Sequence, residues 1–129
     1  MSYKVLLVED DMILLEMYKS KFEMEGHKVI IATDGEEALD QLAAHTPDII
    51  ILDIVMPKMN GFETLKEIKK SPKLRAVPVI LLTNLGESDI DMDRELSYSL
   101  GVKDYLIKSR HTPDDIIKKV TQVINQKVS

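Results

Sequence analysis

The sequence predicts an α/β fold in which a parallel sheet is covered by helices on both faces, and three observations predict it. Short, β-branched apolar runs recur at 4–8 (KVLLV), 27–32 (HKVIIA), 48–53 (DIIILD), 77–83 (VPVILLT) and 103–108 (KDYLIK). Longer segments between them carry apolar residues at helical spacing. The runs are also nearly continuous in apolar character, as strands buried on both faces must be. Five such strands alternating with five helical segments imply βαβ units.

Each element has its own justification. After the first run, Leu15, Tyr18 and Phe22 recur at three to four residues, and Gly26 supplies a helix stop. Asp34 with Glu37 reads as a capping box opening a second helix, in which Leu39, Leu42 and Ala43 share a face. The third run ends at Asp53, where the chain turns through "IVMPKMNG" into a third helix. After the fourth run, the stretch "NLGESDIDMDRELSYSLG" forms a fourth helix closed by Gly101. Its Asp89, Asp91 and Asp93 superficially suggest a calcium loop. Such a loop needs glycine sixth and glutamate twelfth, where Arg94 and Leu100 stand, so these acids read as a dipole-favoured helix start. Thr112-Pro113 with Asp115 opens the last helix, whose inner face is Ile117, Val120 and Ile124.

Composition bounds the function. The 129 residues form one domain, 1–129, with 44% hydrophobic and 30% charged residues, an ordinary globular balance. No apolar run approaches the ~18 residues of a membrane span, and no signal-peptide pattern opens the chain. The absence of cysteine excludes disulfides and thiolate metal sites and fits a cytoplasmic location. A net charge of −5 argues against direct contact with a nucleic-acid backbone.

In parallel sheets of this kind, ligands bind outside the carboxyl ends of the strands. The first strand is followed there by Glu9, Asp10 and Asp11, the third ends in Asp53, the fourth in Thr83 and the fifth in Lys108. Singly, each has an ordinary role: Asp10 or Asp11 caps a helix, Asp53 caps a turn, Thr83 is a strand residue and Lys108 a solvated lysine. Together they place three aspartates, a hydroxyl and an ammonium on one rim. Crowded carboxylates raise one another's pKa unless a cation joins them, and Mg²⁺, a hard ion content with a few carboxylates and water, fits.

The ordered set "LLVEDD", "ILDIVMPKMNGFE", "VILLT" and "GVKDYLIK", spanning Leu6 to Lys108, resembles the receiver domain of bacterial two-component response regulators. The resemblance implies a flavodoxin-like, doubly wound (βα)5 fold with strand order 2-1-3-4-5. It implies that Asp53 accepts a phosphoryl group from a phosphohistidine of a sensor histidine kinase or phosphotransfer protein. Asp10, Asp11 and Asp53, with the backbone carbonyl of Val55, would hold Mg²⁺. Lys108 would pair with the phosphoryl oxygens, Thr83 would hydrogen-bond one of them, and Tyr105 would be the switch aromatic. Such a chain is a signalling module rather than an enzyme, catalysing only its own phosphorylation and dephosphorylation. Its output surface would be the fourth helix, last strand and fifth helix, offered to a downstream target protein.

This chain also departs from the family pattern. Ser109 replaces the usual cis-proline after the lysine; a cis bond to a non-proline residue costs ~2.5–4 kcal/mol, so either a trans loop or a strained cis bond is expected, the trans loop costing less. Asn84 replaces the usual small residue after Thr83, the following segment is longer, and Gly86 offers a hinge within it. Val55 and Leu85 are apolar where the family admits the hydrolytic water, which is expected to prolong the phosphorylated state. Other readings fit less well. A haloacid-dehalogenase-like phosphatase would want an acid at position 55, and a flavin- or dinucleotide-binding domain would not place "EDD" after its first strand. A degenerate receiver, binding partners without phosphate, is the remaining alternative.

Overall fold

The computed structural model describes residues 2–54, 56, 58–83 and 101–128. The expected fourth helix, Asn84, Leu85, Gly86 and the expected ligand Val55 lie outside them. Five strands, β1 (Lys4–Val8), β2 (Lys28–Ala32), β3 (Ile49–Asp53), β4 (Val79–Thr83) and β5 (Asp104–Ile107), form one parallel sheet in the order β2-β1-β3-β4-β5. Its register pairs Val8 with Leu52 and with Ala32, Asp53 with Leu82, and Thr83 with Ile107. The carboxyl ends of β1, β3, β4 and β5 therefore share one rim.

Helices α1 (Met12–Met24), α2 (Gly35–Ala44), α3 (Gly61–Lys70) and α4 (Pro113–Val128, the fifth helix of the sequence reading) flank the sheet. Strand alternation sends successive side chains to opposite faces. Leu6, Ile50, Leu52 and Leu81 pack toward Ala38, Leu42, Leu65 and Ile68 of α2 and α3. Val5, Leu7, Ile51 and Ile80 pack toward Leu15, Tyr18 and Phe22 of α1 and Ile117, Val120 and Ile124 of α4. Each such side chain removed from water contributes ~1.5–3 kcal/mol, so a sheet with two apolar faces needs both helix layers. Ala43, expected inside, is exposed; the inner face of α2 runs through Ala38 and Leu42 instead.

The helix ends largely follow the sequence signals. Gly26, at φ 90°, closes α1: its N–H donates to Glu23 O at 2.9 Å, and that of His27 donates to Phe22 O at 3.1 Å. Thr112 and Asp115 form the reciprocal box at α4, at 3.1 and 3.2 Å. At α2 the box is half formed. Asp34 accepts from Glu37 N at 2.8 Å, but the Glu37 carboxylate accepts from the Thr33 hydroxyl. No cis peptide bond occurs among the described residues, so the Lys108–Ser109 bond is trans.

Candidate functional site

Asp53 ends β3, the central strand, whose five residues are all buried. Its own exposure is 4%. The chain beyond it is fixed on two sides, since Ile54 N–H donates to Leu82 O at 3.1 Å and Gly61 N–H donates to Ile54 O at 2.8 Å. Asn60 caps α3 by accepting from Glu63 N at 2.9 Å. The backbone that carries the Asp53 carboxylate is thus held on both sides.

Three carboxylates meet on this rim. Glu9, Asp10 and Asp53 each offer an oxygen within 4.8 Å of the others, with Glu9 and Asp53 buried and Asp10 exposed. Lys108, at the start of a short 3₁₀ turn (Lys108–Arg110), reaches between the two buried acids. Its Nζ donates to Asp53 Oδ2 at 3.0 Å and to Glu9 Oε1. Thr83 is buried at the end of the neighbouring strand β4. Tyr105 is buried in β5 among the residues facing α2 and α3, its backbone N–H donating to Asp104 Oδ1 at 2.8 Å.

Electrostatics follow from this crowding. Burial pushes the Glu9 carboxyl up to about 8, and its hydrogen bond with Asp53 and the Asp53 charge add to the effect against the opposing pull of Lys108. Burial alone would lower Lys108, but its hydrogen bond to Glu9 and the charges of Asp53 and Glu9 outweigh that and raise it. The site is thus a buried ammonium held between two acids, open to solvent on the Asp10 side.

The expected metal set needs one correction. Asp11 does not join Asp10 and Asp53; it caps α1, its Oδ1 accepting from Ile13 N at 3.0 Å and Leu14 N at 3.2 Å. Glu9 takes the inner place. β1 stops at Val8, so Glu9 is the first residue past the sheet, whereas Asp11 already has the extended backbone of an N-cap. The signal was present in "LLVEDD", because the first polar residue after an apolar strand lies nearest the sheet. Three oxygen donors with one solvent-facing member suit a hard divalent cation that retains water, so the residues present fit Mg²⁺.

Residues 5–121 match the family model of the response regulator receiver domain. The transcriptional regulatory protein CpxR of Escherichia coli strain K12 is 46% identical over 105 residues, which cover 81% of this chain and 42% of that protein. The alkaline phosphatase synthesis transcriptional regulatory protein PhoP of Bacillus subtilis is 31% identical, over 98% of this chain and 50% of that protein. The chain thus spans about half the length of these curated relatives. Among solved structures, the receiver domain of Francisella response regulator 1452 superposes with a TM-score of 0.85 at 30% identity, covering 97% of this chain and 98% of that one. The Mn²⁺-bound form of response regulator Rcp1 gives 0.74 at 35% identity, covering 87% and 85%. With the order β2-β1-β3-β4-β5 and the acid–lysine rim, these matches place the chain in the response regulator receiver domain family.

Proposed function

We propose that the chain is a phosphorylation-dependent signalling receiver working in the cytoplasm, with Asp53 as phosphoacceptor and Glu9, Asp10 and Asp53 as the carboxylates that hold Mg²⁺. The observation that carries this reading is the Lys108 ammonium 3.0 Å from Asp53 Oδ2, beside three carboxylates within 4.8 Å. A relative was solved with Mn²⁺ bound, which supports a divalent ion at this rim.

The residues fit phosphoryl transfer, a reaction governed mostly by positioning and by stabilisation of charge on the equatorial oxygens. An Asp53 oxygen attacks the phosphorus of a phosphohistidine on a sensor kinase or phosphotransfer protein, and the phosphorus–nitrogen bond breaks. Lys108 exchanges its hold on Asp53 for a phosphoryl oxygen, and the Thr83 hydroxyl donates to another. Bound Mg²⁺ supplies charge compensation for the acids and the incoming group. The aspartyl phosphate adds ~−1.5 to −2 charge beside Thr83, and that charge biases the surface around β5, including Tyr105, toward binding a downstream protein. Catalysis is confined to the chain's own phosphorylation and dephosphorylation.

Intact-mass measurement after incubation with acetyl phosphate, with Mg²⁺ or with EDTA, tests the reading. One added phosphoryl group that requires both metal and Asp53, and is absent in Asp53→Asn, is the expected result. No adduct with acetyl phosphate, no beryllofluoride complex and no Mg²⁺ binding would overturn it in favour of a phosphate-independent interaction module.

A further inference from the structure

Gly61 brings α3 against the backbone of Asp53, Gly35 brings α2 against Met59 and Thr64, and neither has positive φ, so space rather than conformational freedom explains them. Gly61 opens α3 directly against the end of β3. A Cβ there would run into the Asp53 carbonyl oxygen and stand 2.7 Å from Ile54 Cα and 3.1 Å from the Asp53 carbonyl carbon. These are backbone atoms, which cannot swing aside as the end of a long side chain can. Gly35, the first residue of α2, makes a similar approach one step further out. Its Cβ would overlap Thr64 Oγ1 and stand 2.6 Å from Met59 O and 2.8 Å from Met59 Cβ. Thr64 has no room to yield, being fully buried with its hydroxyl donating to Asn60 O at 2.8 Å. The contacts form one series: α2 rests on Met59 and Thr64, these lead to Asn60, and Asn60 leads to Gly61 and so to Asp53.

We propose that Gly61 is a positioning residue for the Asp53 carboxylate and that Gly35 acts on the same carboxylate through Met59, Thr64 and Asn60. The bare surfaces of these two glycines let α2 and α3 set where Asp53 stands relative to Lys108, Glu9 and Asp10. The consequence for phosphorylation rests on Asp53 being the phosphoacceptor; the placement itself does not.

The test compares Gly61→Ala and Gly35→Ala with Gly26→Ala. Gly26 lies beyond the opposite end of the sheet, at φ 90° with nothing within 4 Å of an added Cβ, so alanine there destabilises through backbone strain alone. All variants are assayed below their melting temperatures. The readouts are the Asp53 carboxylate carbon and Lys108 ammonium nitrogen resonances in EDTA, and the rate of phosphorylation by acetyl phosphate with Mg²⁺. Gly61→Ala and Gly35→Ala are expected to move both resonances. Because a displacement of ~1 Å can cost ~10²-fold, they should also slow phosphorylation at least ~10-fold. Gly26→Ala should lower Tm yet match the wild type in both readouts. Unmoved resonances and rate in the two site-side variants would overturn the proposal, as would equal losses in Gly26→Ala. If Gly61→Ala fails to fold, Gly35→Ala decides together with Gly35→Ala/Thr64→Ala, where removing Oγ1 should restore part of the rate; no restoration would overturn the proposal. If the wild type itself takes no phosphoryl group, the functional reading fails, and the resonances still decide the positioning.

Discussion

Replacing Glu9 by glutamine exchanges a buried acid for a neutral group of the same shape. Glu9 is 1% exposed, and its carboxyl is pushed from the ordinary 4.5 up to about 8, chiefly by burial. A carboxyl raised on folding binds its proton more tightly in the folded chain than in the unfolded one. Its stabilising contribution is therefore complete below about 4.5 and lost as pH climbs toward 8. At ~1.4 kcal/mol per tenfold change in proton concentration, the full window is worth on the order of 3–5 kcal/mol. Glutamine can still accept from Lys108, but it surrenders the 3.3 Å bond from Asp11 N–H to Glu9 Oε2, at a cost of ~0.5–1.5 kcal/mol. Urea unfolding in EDTA should find Glu9→Gln slightly less stable than the wild type at pH 5 and more stable by a few kcal/mol above pH 8, these two pH settings being roughly the ends of the window. Saturating Mg²⁺ should raise the wild-type curve at high pH far more than the variant's, because the amide offers the cation no charge. A stability difference that stays constant between the two ends would refute the argument that Glu9 is a buried, proton-holding member of the site.

Further predictions separate the roles of neighbouring residues. Asp11→Ala should lower stability by ~1 kcal/mol through loss of the α1 cap while leaving the Mg²⁺ dissociation constant unchanged, whereas Asp10→Asn should weaken Mg²⁺ binding; calorimetric titration distinguishes the two. Lys58 holds φ 64°, and its ammonium stands 3.6 Å from Asp34 Oδ2. Left-handed backbone costs a non-glycine residue ~1–2 kcal/mol, and the ammonium is itself exposed while the buried Asp34 keeps its bond from Glu37 N, so Lys58→Gly should raise stability by up to ~1 kcal/mol after glycine's entropy cost. A clear fall in Tm would refute that account. Hydrogen bonds from the Thr112 backbone and side chain hold the Asp115 carboxyl below its ordinary range. That contribution is present above the ordinary carboxylate pKa and disappears as pH falls through the lowered value. Thr112→Ala should therefore shift acid unfolding to higher pH, as followed by circular dichroism.

Much of this is legible in the sequence alone. The five strands appear within one or two residues of their apolar runs. The inner strands β1, β3 and β4 are buried nearly throughout and have few polar positions to blur the pattern, and the edge strand β2 remains apolar after Lys28 although it is only partly buried. Gly26 and the Thr112–Asp115 box were readable because helix ends are satisfied by neighbours close in sequence. Asp53 and Thr83 end their strands and Lys108 directly follows β5, so their common rim was readable because a parallel sheet brings all its carboxyl ends together. The half-formed box at Asp34 was not, since the Thr33 hydroxyl competes for Glu37 through a geometry that spacing alone does not reveal.

The sequence by itself determined the layered architecture and which acid ends the central strand, since both depend on apolar patterning and on residues that terminate strands. Only the tertiary structure decided between Glu9 and Asp11. The three acids are consecutive, and the one that faces Lys108 depends on where β1 releases the chain and where α1 begins. It also decided that Lys108 sits between Glu9 and Asp53, a contact spanning most of the chain. Finally, it showed that Gly35 and Gly61 are small because the backbone and side chains of other segments occupy the space a Cβ would need. Such constraints come from atoms distant in sequence, and local pattern carries no record of them.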